Sequence, residues 1–273
     1  MKTNSFKSGF TLLELLTVIA IIGVLAAIAV PTMNTFKPNV SAAAASQLLA
    51  DISRARQLAI SQRTTVYMVF VPPEFYLDPA FQSLSAAEKD KAKTLYDKAL
   101  TGYTFVTTRS LGDQPGRNSP RYLSSWRTLP EGSFIPQQKF ALNTTLWNIE
   151  TNTPSGGRQL AFQIRGFNRT TPQERVPFPA VDTPPYNIQK EPYVPLPYIA
   201  FNYMGQLTSR RDELIPVARG SVLFPRDAAT KVAQQGQFSA LESPPGNSTN
   251  SFNIVHVEWL TGRARIERQE AAR

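Results

Sequence analysis

The chain begins with a long apolar run that contains one charged position. Between Phe10 and Val30 the only charged residue is Glu14. A helix of this length rises about 1.5 Å per residue and would span roughly 30 Å, the thickness of a bilayer core. The pattern therefore predicts a transmembrane helix over residues 10–30. Because Lys2 and Lys7 precede it, we expect the amino terminus in the cytoplasm and the body on the other side.

Apolar residues then recur three and four positions apart in the segment "VSAAAASQLLADISRARQLAISQR". The recurring positions are Ala45, Leu48, Leu49, Ile52, Ala55, Ala59 and Ile60. This spacing is typical of an amphipathic helix, and the alanine content favours one. Ser41 is a candidate N-cap. We expect residues 31–63 to continue the membrane helix as an amphipathic stem that ends near Arg63.

After Arg63 the spacing changes to short runs of β-branched and aromatic residues bounded by Gly, Pro or Asn, which indicate strands. Thr261-Gly262 lies between two alternating segments and predicts a hairpin turn. The runs are "TTVYMVFV", "GYTFVTTRS", "RYLSSWRTLP", "RQLAFQIRG", "PYIAFNYMGQL", "ARGSVLFP" and "FNIVHVEWLTGRARIER". The expected fold class is α+β, with a long N-terminal helix packed on a mainly antiparallel β-sheet domain over residues 64–273.

Three segments interrupt the strand pattern and are expected to be insertions. Residues 73–101 include a capping box from Ser85 to Glu88 and predict a short surface helix. Residues 172–197 are rich in proline and predict an extended surface loop without a core of its own. Residues 226–251 are polar and weakly patterned, which predicts a mobile loop.

The composition excludes several kinds of chemistry but does not identify a reaction. The net charge of +9 and the pI near 9.8 favour polyanionic partners. The absence of cysteine excludes disulfides, thiolate catalysis and cysteine-ligated metal. A single histidine, His256, cannot build a histidine-rich zinc site, and Asp212 and Glu213 are expected to lie in a solvated loop. We expect no enzyme activity, no cofactor and no metal site.

The first 31 residues allow three interpretations. A plain anchor would tolerate Glu14 near the membrane boundary but leaves it without a role. A secretory signal would use the small-residue site Ala27-Ile28-Ala29. The third interpretation rests on the whole stretch "KSGFTLLELLTVIAIIGVLAAIAVP", which resembles the processing and assembly segment of type IV prepilins and pseudopilins.

This resemblance implies a role for several residues. Residues 1–9 would be a leader that a prepilin peptidase removes between Gly9 and Phe10, and the new amino group of Phe10 would be N-methylated. The carboxylate of Glu14 would meet the amino terminus of a neighbouring subunit during assembly. Pro31 lacks an N–H and would loosen the helix beyond the membrane, as accompanies filament packing in this family.

Three further stretches resemble the GspH/FimT family of minor pseudopilins and minor type IV pilins: "ASQLLADISRARQLAISQRTTVYMVF", "IAFNYMGQL" and "TGRARI". The resemblance implies a minor pseudopilin of a type II secretion system in the bacterial inner membrane, with a periplasmic body. Its partners would be the peptidase, other pilins or pseudopilins, membrane lipid and secreted protein substrates.

Two alternatives remain open at this point. Arg263 and Arg265 fall on the same side of the last strand and could meet successive phosphates, as in family members that take up DNA. An ordinary membrane-anchored or secreted β-domain protein would instead keep Met1 or start at Val30.

Overall fold

The computed structural model describes residues 12–22, 40–109, 112–114, 119–152, 157–171, 174, 176–180, 194–250 and 253–268. The chain divides into two compact units between Asn39 and Val40. In the first unit, residues 12–22 are helical. Among the described residues, no helix combines the length and the apolar character that crossing a membrane requires. Gly9, Phe10, Pro31 and most of the predicted span over residues 10–30 lie outside the described residues.

The second unit opens with helix α1, Val40–Gln62, on the segment that was expected to form an amphipathic helix; the predicted continuation from the membrane over residues 31–39 lies outside the described residues. The buried stripe is formed by Ala44, Ala45, Leu48, Asp51, Ile52, Ala55 and Ala59. Ser41 was expected to cap this helix, but it lies inside α1, where its buried hydroxyl accepts a hydrogen bond from Asn253 Nδ2 at 2.8 Å. A tertiary contact therefore uses the oxygen that a cap would have used.

Within the described residues, the strands form two sheets and a separate hairpin, and every pairing among them is antiparallel. The first sheet has the strand order β3-β2-β1-β9-β8, and β4 also pairs with β2. Its strands are β1 Val66–Phe70, β2 Gly102–Thr107, β3 Arg121–Tyr122, β4 Arg127–Thr128, β8 Asn168–Arg169 and β9 Pro197–Phe201. The second sheet has the strand order β11-β10-β12-β13, and β5 also pairs with β10. Its strands are β5 Ser133–Phe134, β10 Glu213–Leu223, β11 Ser239–Glu242, β12 Asn253–Val257 and β13 Ala264–Arg268. The hairpin is β6 Leu146–Asn152 with β7 Arg158–Arg165. The expected α+β, pilin-like class is confirmed.

The main core lies where α1 covers both sheets. The alanines of α1 allow the sheets to approach the helix closely, and the larger residues of the sheets fill the space around Leu48 and Ile52. The first sheet contributes Met68, Phe70, Tyr103, Phe105, Ile199 and Phe201, and the second contributes Ile215, Val217, Val255 and Val257. One helix thus holds two sheets in a single hydrophobic cluster.

The opposite face of the first sheet is covered by the insertion that was expected over residues 73–101. This insertion contains a 3₁₀ turn Phe75–Leu77, helix α2 Pro79–Gln82, helix α3 Ala86–Ala92 and a 3₁₀ turn Lys93–Lys98. The Ser85 and Glu88 capping box is present. Its aromatic residues form a second core against the sheet: Phe75, Tyr76, Phe81 and Tyr96 with Val69, Val106 and Phe178. From the proline-rich segment over residues 172–197, Val176, Phe178, Val194 and Leu196 are buried in this second core, and residues 181–193 lie outside the described residues.

Residues 226–250 contain more secondary structure than the sequence suggested. They contain the edge strand β11 and the short helix α4, Asn247–Asn250. Asn247 fixes this segment to β10, because its Oδ1 accepts from the Arg219 N–H at 2.9 Å and its Nδ2 donates to the Arg219 carbonyl at 2.6 Å. β11 alternates exposed and half-buried residues, so it lacks the apolar run that would have marked it as a strand.

Candidate functional site

The helix over residues 12–22 exposes large apolar side chains on all sides. Leu12 is 83% exposed, and the other exposed residues are Leu13, Leu15, Leu16, Val18, Ile19, Ile21 and Ile22. A helix without a polar face is stable only in lipid or against other protein. Glu14 lies in this helix, where its carbonyl accepts a hydrogen bond from Thr17 Oγ1 at 2.9 Å. A carboxylate therefore sits within a surface that must be covered.

The C-terminal hairpin of β12 and β13 carries the two arginines singled out from the sequence. Residues 258–263 connect the strands, and Gly262 has the positive φ of 62° that the predicted turn requires. Ala264 and Ile266 pack against the main core. Arg263 and Arg265 are both exposed and fall on the other face. Two guanidinium groups thus face solvent along one edge of the second sheet.

Arg265 belongs to a polar cluster with the only histidine. Its Nε donates to Glu267 Oε1 at 3.0 Å, and His256 lies directly opposite it on β12. His256 bridges two carboxylates, with Nδ1 2.8 Å from Glu267 Oε1 and Nε2 2.9 Å from Asp212 Oδ2. The charge of Arg265 is therefore largely balanced, whereas Arg263 forms no ion pair with any described residue.

These contacts hold both carboxylates of the cluster in their ionised form. The hydrogen bond from His256 is the main cause that lowers the pKa of Glu267, with partial burial opposing it and Arg265 adding to it. For Asp212, partial burial raises the pKa, but the Trp259 N–H and His256 together outweigh it and the net shift is downward. His256 thus acts as a structural link across the hairpin.

Arg56 of α1 fixes the hairpin loop, a role that its helical spacing did not indicate. Its Nε donates to the Thr261 carbonyl at 2.7 Å and to the Gly205 carbonyl at 3.3 Å. A Cβ added to Gly262 would come within 1.9 Å of the Gly205 carbonyl oxygen. The two loops therefore touch through glycine backbones and are both held by one helix side chain.

Asp51 places a buried charge on the apolar stripe of α1. Its Oδ2 accepts from the Tyr103 hydroxyl at 2.5 Å and its Oδ1 from Arg127 Nη1 at 2.8 Å. Burial and the hydrogen bond to Asp51 raise the pKa of Tyr103 above its usual range. This network joins the helix to β2 and β4 and fixes its position on the first sheet.

A second buried charge contradicts the expectation of a solvated loop at Glu213, whereas Asp212 lies in the exposed loop before β10 as expected. Glu213 begins β10 and is buried, and its Oε1 accepts from Lys139 Nζ. Burial lowers the pKa of Lys139 despite the neighbouring carboxylate. Along the chain, Glu213 lies 74 positions from Lys139, and Arg165, whose carbonyl also accepts from Lys139, lies 26 positions from it. No local sequence pattern therefore predicts this site.

The end of α1 has an unusual residue at its cap. The Arg63 N–H donates to the Ile60 carbonyl and the Thr64 N–H to the Ala59 carbonyl, which is a Schellman motif with Arg63 at C′. Arg63 has a φ of 49°, in the left-handed region. Glycine is usual at this position because a side chain there costs roughly 1–2 kcal/mol.

Within the described residues, no group of three or more His, Asp or Glu side chains is placed to hold a metal ion. The acidic residues of the His256 cluster are used in hydrogen bonds within the hairpin and the loop before β10.

Comparison with known proteins identifies the amino-terminal segment. Residues 4–30 match a family defined by the prokaryotic N-terminal methylation motif. A fimbrial protein of Neisseria meningitidis serogroup A / serotype 4A (strain DSM 15465 / Z2491) is 27% identical over 169 residues, which is 58% of this chain and 90% of the relative. The type IV major pilin protein PilE of Neisseria gonorrhoeae is 28% identical over 137 residues, or 48% of this chain and 72% of PilE. The chain is a type IV pilin-like protein.

This identification accounts for the apolar helix of the first unit. The motif of the pilin-like protein implies processing by a prepilin peptidase and assembly with other pilins. A second fimbrial protein, from N. meningitidis serogroup B (strain ATCC BAA-335 / MC58), is 29% identical over 137 residues, 48% of this chain and 71% of the relative. No solved structure matches the pilin-like chain.

Proposed function

We propose that the protein is a non-catalytic minor pseudopilin, a structural component of a type II secretion pseudopilus. The observation that carries the proposal is the methylation motif over residues 4–30, which includes a helix that exposes apolar side chains on every side. A prepilin peptidase cuts between Gly9 and Phe10 and the new terminus is N-methylated. The helix then associates with those of other pseudopilins through Glu14, and Pro31 loosens it past the membrane.

The proposed location follows from the same segment. Residues 1–9 are the leader and stay in the cytoplasm, residues 10–30 cross the inner membrane once, and residues 31–63 continue the helix. The GspH/FimT-like body over residues 64–273 lies in the periplasm, where it meets secreted protein substrates. Lys2 and Lys7 at the amino end support this orientation.

The body supports a minor rather than a repeating subunit. A repeating subunit must pack against identical copies on several sides, which restricts what its surface can carry. Here the first sheet is covered by a second core built from an insertion. The alignments with the three fimbrial relatives cover 48–58% of this chain, so a large part of the body has no counterpart in them. A bulky body of this kind fits the end of a filament.

Deleting the gene should reduce type II secretion and leave surface pili in place. We expect at least a tenfold fall in the extracellular activity of a secreted enzyme, with the enzyme retained in the periplasm, because the proposed pseudopilus would lack one of its subunits. The measurement is enzyme activity in medium and periplasm, beside a pilus count by electron microscopy. Complementation with the intact gene is the control. Normal secretion together with lost pili would assign the protein to a type IV pilus instead.

A second candidate function is DNA binding by a minor type IV pilin. The observation that favours it is the exposure of Arg263 and Arg265 on one face of the hairpin, beside a net charge of +9. The carboxylates of Asp212 and Glu267 near Arg265 oppose it, because they offset part of the positive charge. We therefore rank it below the structural role.

Changing Arg263 and Arg265 to Ala together should weaken DNA binding and reduce its salt dependence if this second function holds. Each lost phosphate contact reduces the steepness of log K against log salt concentration by about 0.9. The double variant should therefore reduce that steepness by up to about 2. The measurement is fluorescence anisotropy of the full chain in detergent with a labelled duplex at several salt concentrations. Arg54→Ala, at an exposed arginine on α1, controls for general charge loss. Equal losses in both variants would dismiss a specific site.

A further inference from the structure

A polar cleft of about 470 Å³ opens where α1 ends, and it carries two arginines from different elements. Arg63 follows the last turn of α1, and Arg109 follows the end of β2. Thr64 joins the two segments, because its hydroxyl donates to the Arg109 carbonyl at 3.0 Å. Both arginines are exposed, and neither forms an ion pair with a described residue. Asp113 also lines the cleft, so the lining keeps a net positive charge.

The backbone at Arg63 gives an independent reason to look for a ligand. Its left-handed φ of 49° at the C′ position of a Schellman motif suits glycine, and an arginine there makes the fold less stable. The fold gains no described ion pair from the guanidinium in return. Residues held in unfavourable backbone regions are found disproportionately at binding sites. The choice of arginine therefore points to a contact outside the chain.

One exposed aromatic residue, Tyr203, lines the cleft. Tyr203 is 59% exposed, and Met204, Leu260 and Ile60, on the same segment and on two neighbouring segments, are exposed by 53%, 52% and 40%. They stand on three segments in mutual contact, since the Leu207 N–H donates to the Trp259 carbonyl at 2.9 Å and Arg56 binds both loops. Tyr, Met and Arg are enriched in the cores of protein interfaces.

We propose that this end of the body is a docking site for an acidic peptide segment of another protein. A carboxylate of the segment lies between Arg63 and Arg109, where guanidinium groups can donate paired hydrogen bonds to it. Apolar side chains next to that carboxylate cover Tyr203, Met204 and Leu260. This site shares the loop residue Leu260 with the arginine hairpin but uses neither Arg263 nor Arg265, and it does not depend on which filament the protein joins.

The neighbouring side chains favour a peptide over nucleic acid or a free anion. A phosphate backbone gains nothing from Met204, Leu260 and Ile60, and it needs a row of cations, whereas the cleft has two arginines and one carboxylate. A small anion would use the arginines but leave the apolar side chains exposed. A peptide that alternates acidic and apolar residues satisfies both parts of the surface.

The test uses the full chain in detergent and two labelled twelve-residue peptides, one alternating Glu and Leu and one alternating Gln and Leu. We expect fluorescence anisotropy to show binding of the Glu peptide at least tenfold tighter than of the Gln peptide. Arg63→Gly and Arg109→Gln should each weaken binding of the Glu peptide about tenfold, as expected for loss of a charged hydrogen bond. Arg54→Gln is the matched control and should leave binding unchanged.

Thermal unfolding separates loss of the site from loss of the fold. Arg63→Gly should raise the unfolding temperature by roughly 2 °C while it weakens binding, because glycine relieves the left-handed backbone. Equal binding of the two peptides, or unchanged binding by Arg63→Gly, would overturn the proposal. Tighter binding of labelled oligo(dT), or displacement of the Glu peptide by millimolar inorganic phosphate, would overturn it in favour of nucleic acid or a small anion.

Discussion

Replacing Lys139 with Met should lower the free energy of unfolding by about 3–5 kcal/mol, the range found when one partner of a buried ion pair is removed. Lys139 is 1% exposed, and its Nζ donates to Glu213 and to the Arg165 carbonyl, the latter at 2.8 Å. The ammonium group also lies 4.6 Å from the centre of the Phe167 ring. Without it, the buried carboxylate of Glu213 has lost its counter-charge at the first residue of β10.

The measurement is urea unfolding of the full chain in detergent, followed by tryptophan fluorescence. The double variant Lys139→Met with Glu213→Leu should recover most of the loss, because it removes both charges and fills the site with apolar groups. Lys93→Met is the matched control: Lys93 pairs with Asp90 at the surface, where solvent screens the pair and its loss should change the free energy of unfolding little. Equal losses in the single and double variants would show that packing, not charge, fixes this site.

This site also shows where prediction from the sequence ends. The helix α1 was predictable because its buried positions recur with a local period, and the strands β1, β2, β7, β9 and β12 because their β-branched and aromatic residues are contiguous. A buried ion pair between residues 74 positions apart has no local period. Glu213 next to Asp212 resembled a solvated loop for that reason.

The same limit applies to the candidate surfaces. Arg263, Arg265 and Glu267 could be placed on one face from strand alternation alone, but the contact of His256 with Glu267 depends on the register of β12 against β13. Arg63 was identified only as the end of a helix. Arg63 has a left-handed backbone, and it lies near Arg109 because the end of β2 lies beside the end of α1. The spacing of apolar residues along the helix carries no information on either point.

The edge strand β11 and the second core were missed for a different reason. β11 has no fully buried residue, and the residues of the second core are divided between a helical insertion and a proline-rich segment. The aromatic residues Phe75, Phe81 and Phe178 could have indicated the second core from the sequence, because large aromatic side chains are seldom found in loops that do not pack on other elements.

Glu14→Ala should leave membrane insertion and processing intact but reduce incorporation into the filament by at least tenfold. The reason is electrostatic: in lipid a carboxylate is stabilised chiefly by an opposite charge, and N-methylation keeps the Phe10 amine cationic. As the resemblance to type IV prepilins implies, the expected partner is the Phe10 amine of a neighbouring subunit. A tenfold loss corresponds to about 1.4 kcal/mol of intersubunit contact.

Two measurements on the same strains separate processing from assembly. Mass spectrometry of the mature protein should give an N-methylated Phe10 terminus for both the unaltered chain and Glu14→Ala, and immunoblots of sheared filaments should show the variant depleted. Thr17→Ala, one turn further along the helix, removes a polar side chain without a charge and should assemble normally. An unmethylated start at Val30 or at Met1 would return the chain to a secreted or anchored β-domain protein. Normal assembly of Glu14→Ala with a Phe10 terminus would keep the pilin-like processing and reject the intersubunit ion pair, because the two steps depend on different groups of the same segment.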